Sequence, residues 1–256
     1  MKLLVPGMAV LAAVALFTGA CGSKSQSSSQ PLRVCSTGDY RPFTYHDQQG
    51  WTGMDIDLAE DLAEHLGVKL ELVKTTWTTL IADVGTKCDM AMGGISVNPE
   101  RAKRALFSRP YLRDGKAAIV RCADSEKYRT LADIDRPGVR VVVNPGGTNA
   151  QFDKTNLRQA TVLTYPDNNT IFEQLATGKA DAMITDASEI RWESTQNHQL
   201  CGVSVDRPFS SEEKAYLIAQ SDPKLVESVN DWLSGAQKDG TYARTAQKWL
   251  GQVVGP

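Results

Sequence analysis

From Leu32 onward, hydrophobic positions alternate between strand-like and helix-like periods. The runs "LRVCSTG" and "VKLELV" have the short apolar or period-two pattern of buried strands. Between them, Leu58, Leu62 and Leu66 recur at four-residue spacing, which predicts an amphipathic helix that ends at Gly67. The segment "WTTLIADVGTKCDMAMGG" then predicts a short helix and a third strand. This order is typical of a parallel sheet covered by helices.

The second half of the chain starts the same order again. "GVRVVVNPGGTN" predicts a strand, a Gly-rich turn and a helix start, and "TVLTYPDNNTIFEQLATGKADAMITD" predicts strand, helix and strand. Residues 80–92 and 171–184 share a helix ending near Gly and Lys, an acidic residue and a Met-bearing strand. We therefore expect two similar α/β lobes. A chance similarity of two such units would leave the fold class unchanged.

Two extended segments, "FSRPYLRDGKAAIVRC" and "FSSEEKAYLIA", are candidates for crossings between the lobes. The helices predicted in "PKLVESVNDWLSGAQKDG" and "TYARTAQKWLG" would then complete the first lobe. We expect lobe 1 to comprise residues 32–115 plus 212–256, and lobe 2 residues 116–211. Each lobe should be a mainly parallel sheet flanked by helices, with the two crossing strands as a hinge. A ligand cleft is expected between the lobes, outside the carboxyl ends of the strands.

Residues 1–31 have a different pattern, that of an export signal. Lys2 precedes the apolar run "LLVPGMAVLAAVALF", and "TGACGS" resembles a lipoprotein cleavage site in which Cys21 carries the lipid, although Thr18 replaces the usual Leu. Residues 22–31 form a Ser/Gln-rich tether after the predicted signal segment 1–21. The alternative is a plain secretory signal cut near Ala20. Either way we expect an exported protein, periplasmic or at the cell surface, whose membrane contact is the lipid anchor.

Composition narrows the function classes only slightly. The chain has 256 residues, of which 41% are hydrophobic and 23% charged, and its formal net charge is −2. These values are ordinary for a soluble globular protein. There is no basic block and no stripe of alternating aromatic and basic residues, so nothing indicates a nucleic-acid partner.

Cysteine positions predict disulfides rather than a metal site. If Cys21 carries lipid, Cys35, Cys88, Cys122 and Cys201 remain, which allows two disulfides in an oxidising compartment. The first two lie on strands that should be neighbours in lobe 1, and the last two fall in lobe 2. We therefore predict Cys35–Cys88 and Cys122–Cys201. No CxxC occurs and the histidines are scattered, so neither a zinc site nor another cofactor is expected.

Polar and aromatic side chains follow the predicted strands of both lobes and would meet at the cleft. Their types suit an anionic, ring-bearing ligand: an arginine that can hold a carboxylate bidentately, backbone N–H groups of "NPGGTN", and aromatic rings that could sandwich a flat ring. The Gly-Lys-Ser/Thr signature of a phosphate loop is missing. The candidates are Asp39, Tyr40, Trp77, Gly94, Ser96, Arg101, Asn144, Thr148, Asp186 and Glu189.

Each candidate also has a plainer interpretation. Arg101 could be a surface charge, Trp77 could belong to the core, and Gly146 with Gly147 could form only a turn. In "MITDASE", Asp186 and Glu189 match a capping box, in which Asp186 accepts a backbone N–H and Glu189 reaches back to the cap. The capping box competes with a chemical role for the second carboxylate, because a carboxylate bonded to backbone N–H groups prefers to be ionised.

The segment "GISVNPERAKRALFSRPY" resembles periplasmic polar-amino-acid binding proteins, in which the arginine at the position of Arg101 grips the ligand carboxylate. In that family an acidic residue at the position of Asp186 takes the amino group. The similarity covers essentially Leu32 to Leu250 and implies the α/β, two-lobed periplasmic-binding-protein fold of type II.

The chain is more similar still to one enzymatic branch of that family, the cyclohexadienyl dehydratases. The matching stretches include "STGDYRPF", "PYLRDGK", "YPDNNTIF" and "KADAMITDASE". The resemblance implies a general-acid role for Glu189 and a substrate-binding role for the other cleft candidates, with Lys116 added. The chain departs from the family pattern in "TTWTTLIADV", where a proline is expected after the tryptophan. It also departs in its lipid-anchor motif.

The implied activity is decarboxylation and dehydration of prephenate to phenylpyruvate, or of arogenate to phenylalanine. The resemblance does not separate these substrates. The competing interpretation is a non-catalytic receptor that hands a polar amino acid to an ABC permease, in which Asp186 binds the ammonium and Glu189 only caps its helix. A sensor module is a weaker third alternative. In each case the partner is a small anionic or zwitterionic ligand.

Overall fold

The computed structural model describes residues 1–3, 30–252 and 255. The apolar N-terminal run, Cys21 and nearly all of the predicted tether therefore lie outside the described residues. Within the described ranges, none of the helices combines the length and apolar character that crossing a membrane requires.

The strands alternate with helices in the predicted order from Leu32 onward. They are β1 Leu32–Ser36, β2 Asp39–Tyr40, β3 Thr44–Asp47, β4 Gly50–Thr52, β5 Leu70–Lys74, β6 Met90–Ala91, β7 Ala105–Phe107, β8 Leu112–Asp114, β9 Lys116–Arg121, β10 Arg140–Val143, β11 Thr161–Thr164, β12 Ala182–Asp186, β13 Leu200–Val203, β14 Glu212–Lys214 and β15 Leu217–Ala219.

Long amphipathic helices cover lobe 1, and shorter ones surround lobe 2. They are α1 Met54–Leu66, α2 Leu80–Asp83, α3 Pro99–Ala102, α4 Leu131–Ile134, α5 Thr148–Asn156, α6 Ile171–Ala176, α7 Ala187–Gln196, α8 Pro223–Lys238 and α9 Thr241–Leu250. In α1 the predicted apolar face is buried at Leu58 and Leu62, and the helix ends at Gly67 in the left-handed conformation that glycine favours.

Each lobe is built on a five-stranded sheet. The lobe 1 sheet has the order β5-β1-β6-β15-β7, and the lobe 2 sheet has the order β11-β10-β12-β9-β13. In lobe 1, α1, α8 and α9 pack on one face around Trp232 and Tyr216. In lobe 2, separate apolar clusters cover the two faces of the sheet, with Met183 in one and Ile184 in the other, because neighbouring side chains on β12 point to opposite faces.

The sheets are mixed rather than mainly parallel, which corrects one detail of the expected fold. In lobe 1, β1 pairs with β5 and β6 in parallel, whereas β15 pairs with β6 and β7 in antiparallel fashion. In lobe 2, β10 pairs in parallel with β11 and β12, whereas β9 pairs antiparallel to β12 and β13. The antiparallel strands β9 and β15 directly follow the crossings. Each of them therefore runs opposite to the parallel strands of the sheet that it joins.

The crossings lie side by side as a two-stranded antiparallel ribbon. Strand β8 pairs with β14, with Leu112 opposite Lys214 and Asp114 opposite Glu212. The two lobes are thus connected by only these two paired segments among the described residues. A connection of this kind is the usual geometry of a hinge between lobes. It also places the first residue of β9, Lys116, and the last residue of β14, Lys214, at the base of the cleft between the lobes.

Both disulfides link residues of the same lobe, as predicted. Cys35 on β1 is joined to Cys88 just before β6, and both are fully buried. Cys122, directly after β9, is joined to Cys201 on β13. Neither bond ties one lobe to the other, so both are compatible with opening and closing of the cleft.

Removing the Cys122–Cys201 bond should destabilise the fold without disturbing its packing. Cys122 is partly exposed, so serine at this position adds little burial penalty, and the loss comes from the lost cross-link. We expect Cys122→Ser/Cys201→Ser to lower the free energy of unfolding by about 2–5 kcal/mol. Urea unfolding without reductant measures the change. An unchanged midpoint, or cross-lobe links in non-reducing peptide maps of the wild type, would contradict the assignment.

Candidate functional site

The cleft between the lobes is narrow and is lined by residues from the ends of strands in both sheets. Its remaining volume is about 20 Å³. The predicted substrate-binding residues all line it, apart from Asp39 and Lys116, which lie behind the wall. The lining residues are Tyr40, Trp77, Gly94, Ser96 and Arg101 from lobe 1 and Asn144, Gly147, Thr148, Asn149, Asn168 and Asp186 from lobe 2.

The two walls touch each other across the cleft. The side-chain amide of Asn168 in lobe 2 donates to the backbone oxygen of Asp39 in lobe 1 at 2.7 Å. Gly146 of lobe 2 has φ +86 and lies so close to lobe 1 that a Cβ there would be 2.4 Å from Thr78 Oγ1. Only glycine fits this approach, which gives the Gly-rich turn of "NPGGTN" a role in closure.

Asp186 is the most heavily coordinated side chain of the site. Its Oδ1 accepts from Lys116 Nζ at 2.7 Å, and its Oδ2 accepts from Lys214 Nζ at 2.6 Å. Tyr40 of the opposite lobe donates its hydroxyl to the same Oδ2. Burial acts to raise the pKa of Asp186, but the ammonium groups of Lys116 and Lys214 outweigh it and hold that pKa well below its usual range.

Both lysines are fully buried and are fixed by further polar contacts. Lys116 Nζ also donates to Thr148 Oγ1 at 2.9 Å and to Asn149 Oδ1 at 2.6 Å. Lys214 Nζ donates to Ser96 Oγ at 2.8 Å, and although burial lowers its pKa, the charge of Asp186 raises it more. Asp186 therefore favours the charged form of Lys214, and the two lysines contact Asp186 from two sides.

Arg101 is positioned by a short, well-capped helix. Asn98 caps α3 by accepting the backbone N–H of Arg101 at 2.9 Å, and Pro99 occupies the first turn. The guanidinium donates to the backbone oxygen of Ser96 at 2.8 Å and lies 5.9 Å from the Trp77 ring. Burial lowers the pKa of Arg101, but an arginine remains cationic in proteins. The side chain is thus a buried cation rather than a surface charge.

The opposite wall offers hydrogen-bond donors that suit an anion and acceptors that suit a donor group of a ligand. Helix α5 begins at Thr148 and has no side-chain cap, so its first-turn N–H groups face the cleft region with the positive end of the helix dipole. The buried Oδ1 atoms of Asn144 and Asn168 accept no hydrogen bond from the described residues. As acceptors, they suit a hydroxyl or another donor group of a ligand rather than a carboxylate.

Tyr40 and Trp77 do not form the expected sandwich. Their rings meet edge to face, with centroids 5.4 Å apart at an interplanar angle of 87°. Trp77 is held in this orientation because its Nε1–H donates to Asp39 Oδ1 at 3.1 Å. The prediction that both rings stack on opposite faces of a flat ligand is therefore wrong for this arrangement. Asp39 orients the tryptophan from behind instead of lining the cleft.

Asp186 and Glu189 do not form the predicted capping box. Asp186 occupies the N-cap position of α7, but its side chain makes no cap hydrogen bond because the lysines and Tyr40 occupy both carboxylate oxygens. Glu189 does not turn back to the helix end either. Its Oε2 accepts from Thr185 Oγ1 at 2.5 Å, while Thr185 accepts from Asn149 Nδ2 at 2.9 Å.

Glu189 therefore lies behind the cleft wall, linked to Asn149 by two hydrogen bonds through Thr185. It is 1% exposed. Burial raises its pKa well above the usual range, the Thr185 hydrogen bond lowers it, and the charges of Glu193 and Asp186 raise it further. Burial thus favours the neutral form of Glu189, whereas the two lysines favour the ionised form of Asp186, which is the pattern that separates an acid from a charge-stabilising group.

Several site residues were missed by the sequence reasoning. The most important is Lys214, although it stands directly before the apolar strand of "KAYLIA" as Lys116 does in "KAAIV". A lysine at the edge of a buried strand is rare enough to be a usable signal. Asn149 and Thr185 are neighbours of predicted residues. Asn168 lies in the "PDNNT" loop, and its local pattern gives no sign of a cleft position.

Comparisons with known proteins agree with this architecture. A family model of bacterial extracellular solute-binding proteins, family 3, matches residues 32–252. A cyclohexadienyl dehydratase of Pseudomonas aeruginosa is 47% identical over 221 residues, which are 86% of this chain and 82% of that protein.

Solved structures show the same two-lobed arrangement. The crystal structure of an ancestral amino acid-binding protein, described as a precursor of cyclohexadienyl dehydratase, has a TM-score of 0.80 and 37% identity, covering 86% of this chain and 95% of that chain. The crystal structure of an ancestral cyclohexadienyl dehydratase has a TM-score of 0.53 and 47% identity, covering 86% and 92%.

These matches confirm the resemblance and the periplasmic-binding-protein fold that the sequence indicated. The matched range includes every strand and helix of both lobes. The chain belongs to the bacterial extracellular solute-binding proteins of family 3.

Proposed function

We propose that this protein is an exported cyclohexadienyl dehydratase that decarboxylates and dehydrates prephenate or arogenate, with Glu189 as the general acid. The 47% identical relative from Pseudomonas aeruginosa supports this activity. The observation that carries the proposal is the pairing of Asp186 with Lys116 and Lys214, because it changes what the cleft can bind.

A receptor for amino acids needs a carboxylate that is free to accept the ligand ammonium. In this site both oxygens of Asp186 are already engaged by ammonium groups and by the Tyr40 hydroxyl. An additional ammonium would meet the lysine charges at close range, which is unfavourable in a buried site. A dicarboxylate without an ammonium fits better, so prephenate suits the site better than arogenate does.

The remaining groups can hold the substrate carboxylates. Arg101 supplies a planar, buried guanidinium on the lobe 1 wall, and Asn144 with the first turn of α5 at Thr148 supplies hydrogen-bond donors on the lobe 2 wall. The substrate ring would lie against Trp77, whose orientation Asp39 fixes. Gly94, at φ +61, keeps space open beside Tyr40, since a Cβ there would lie 2.5 Å from the tyrosine ring.

The chemistry requires proton delivery to a poor leaving group. The proton of Glu189 passes to the ring hydroxyl oxygen, the C–O bond breaks, and water leaves. The electron pair of the bond to the departing carboxylate completes the aromatic ring, and carbon dioxide is released. Glu189 is left ionised and regains its proton from solvent. General acid catalysis of this kind contributes typically ~10²–10⁴-fold in rate.

Glu189 must move a short distance to do this. In the structure its carboxyl is bonded to Thr185, which is bonded in turn to Asn149 of the cleft lining. We propose that rotation about its side-chain bonds carries the protonated carboxyl past Thr185 to the leaving hydroxyl. Its burial keeps it protonated until then.

Closure of the two lobes would complete the site. We propose that residues 32–115 plus 212–256 move against residues 116–211 about the β8/β14 ribbon. The cross-cleft contacts from Tyr40 to Asp186 and from Asn168 to Asp39 form only when the lobes meet. A closed cleft excludes water from the reacting ring.

Glu189→Gln should abolish the chemical step while preserving the fold. Glutamine has the shape of the protonated carboxyl and can still bond Thr185, but it is not an acid. We expect kcat for phenylpyruvate formation from prephenate to fall ~10²–10⁴-fold with little change in KM. Absorbance of phenylpyruvate follows the reaction. An inactive wild type, or full activity in Glu189→Gln, would contradict the proposal.

The alternative function is a non-catalytic amino-acid receptor of an ABC transporter. The relative described as an ancestral amino acid-binding protein favours it, since its sequence is 37% identical over most of this chain. The two functions predict different ligands for the same cleft, a dicarboxylate for the enzyme and a zwitterionic amino acid for the receptor.

Ligand-induced stabilisation separates these functions. We expect prephenate, added to the non-reactive Glu189→Gln variant, to raise the unfolding free energy by ~2.7 kcal/mol at 100 times Kd, and amino acids to do little. Lys214→Gln in the same background should raise the Kd roughly 10–100-fold, because Asp186 and Ser96 of the cleft lining lose the charged donor that fixes them. Lys103→Gln, at an exposed ion pair, is the matched control. Strong stabilisation by an amino acid would favour the receptor.

We propose further that the mature protein is anchored through Cys21. The extracellular family and the sequence motif before Cys21 support export, and the tether supports a lipid anchor over simple cleavage.

Cys21→Ala should release the protein from membranes. We expect the wild-type chain to partition into the detergent phase of Triton X-114 and Cys21→Ala to remain in the aqueous phase, because the alanine offers no thiol for the lipid. Aqueous partition of the wild type would show that the signal is simply removed.

A further inference from the structure

A second carboxyl lies one helical turn beyond the proposed acid. Glu193 is four residues after Glu189 on α7, so both side chains emerge on the same face of the helix. Glu189 is fully buried, whereas Glu193 is partly exposed. The pair therefore leads from the back of the cleft wall to the protein surface.

A cation of the other lobe lies against the same helix. Arg41 follows β2 of lobe 1, and its guanidinium lies 3.1 Å from the centroid of the Tyr45 ring and 5.5 Å from that of Trp192 on α7. These groups line a cavity at the rim of the interface, together with Trp249. Stacking on both rings holds the Arg41 charge beside α7 only while the lobes are together.

The charges of Arg41, Glu193 and Glu189 affect one another in sequence. Burial raises the pKa of Glu193 to about 7, and the charge of Arg41 lowers it. The charge of Glu193 in turn raises the pKa of Glu189. Loss of the first proton from the pair is thus favoured at Glu193, next to Arg41, and a second loss from Glu189 is opposed by the resulting negative charge.

The other charges packed against α7 are already committed within the described residues. On β9 and β12, Lys116 and Asp186 are paired with each other. On α9, Lys248 pairs with Asp57 of α1. Strand β13 contributes only Cys201, which is in a disulfide.

On α7 itself, Arg191 pairs with Asp206. From β8, Asp114 accepts hydrogen bonds from the backbone N–H and the hydroxyl of Ser188 in the first turn of α7. Glu193 and Arg41 are therefore the groups through which the protonation of Glu189 can be adjusted from outside the cleft.

We propose that Glu193 is a positioning residue that keeps Glu189 protonated in the closed protein, and that Arg41 of the opposite lobe holds the charge on Glu193. The inference rests on the proposed function and extends it, because it links lobe closure to the readiness of the acid. When the lobes part, Arg41 moves away from α7, and its charge no longer favours ionisation of Glu193 over Glu189.

The test is the pH profile of Glu193→Gln. Glu189 acts in its protonated form, so kcat falls as pH rises through the pKa of that carboxyl. Without the negative charge of Glu193, the pKa of Glu189 should fall. The falling limb of the kcat–pH profile should then move about one unit to lower pH. The rate at pH 8 should then drop roughly tenfold relative to the wild type, with a much smaller change at pH 6.

Two variants separate a charge effect from a structural one. Glu193→Asp keeps the charge and should restore the wild-type profile. Glu173→Gln removes an exposed carboxyl from α6 of the same lobe and should leave the profile in place. An unmoved limb in Glu193→Gln, or an equal loss of rate at every pH, would overturn the inference.

A second measurement does not depend on turnover. Titration of the Glu189 carboxyl by ¹³C NMR, assigned from the signal lost in Glu189→Gln, should show a lower pKa in Glu193→Gln than in the wild type. If the wild type proves inactive, the proposed function fails, yet this titration still decides whether Glu193 controls Glu189. An unchanged titration would refute the coupling whatever the activity.

Discussion

The buried carboxylate of Asp186 is the contact on which the rest of the site depends. Three groups converge on it: Lys116 at the start of β9, Lys214 at the end of β14, and Tyr40 from the opposite lobe. The lysines belong to the two crossings, so the charge of Asp186 ties the hinge, lobe 2 and the lobe 1 wall together. Removing either lysine would leave a buried charge with incomplete compensation, which is strongly unfavourable.

In the proposed enzyme, the same contact would favour a reactive cleft over an amino-acid receptor. Both oxygens of Asp186 accept from lysines, and its negative charge raises the pKa of Glu189. The fold therefore favours an ionised Asp186, which contacts two lysines, and a neutral Glu189, the proposed proton donor. Their environments differ because two ammonium groups reach Asp186, whereas the Thr185 hydroxyl is the hydrogen-bond donor to Glu189.

The sequence predicted the βαβ units, the crossings and the placement of candidates at strand ends, because periodicity and parallel topology follow from local pattern. It failed where three-dimensional charge balance decides the outcome. The spacing of Asp186 and Glu189 matches a capping box, yet two distant lysines compete for Asp186 and leave the helix end uncapped. Lys214 lies 28 residues from Asp186, and no local pattern indicates that their side chains meet. Likewise, the sequence indicated that Tyr40 and Trp77 lie at the cleft but not the angle between their rings, because Asp39 sets the orientation of the indole.

A single-turnover experiment tests the central claim most directly. Excess wild-type protein would be mixed with prephenate, and samples would be quenched without acid at successive times. The Glu189→Gln variant would be treated in the same way for comparison. The account predicts that the wild type converts the bound prephenate completely to phenylpyruvate, while Glu189→Gln binds it and returns it unreacted. Unreacted prephenate recovered from the wild type, or equal conversion by both proteins, would contradict the assignment of Glu189 as the acid of a dehydratase.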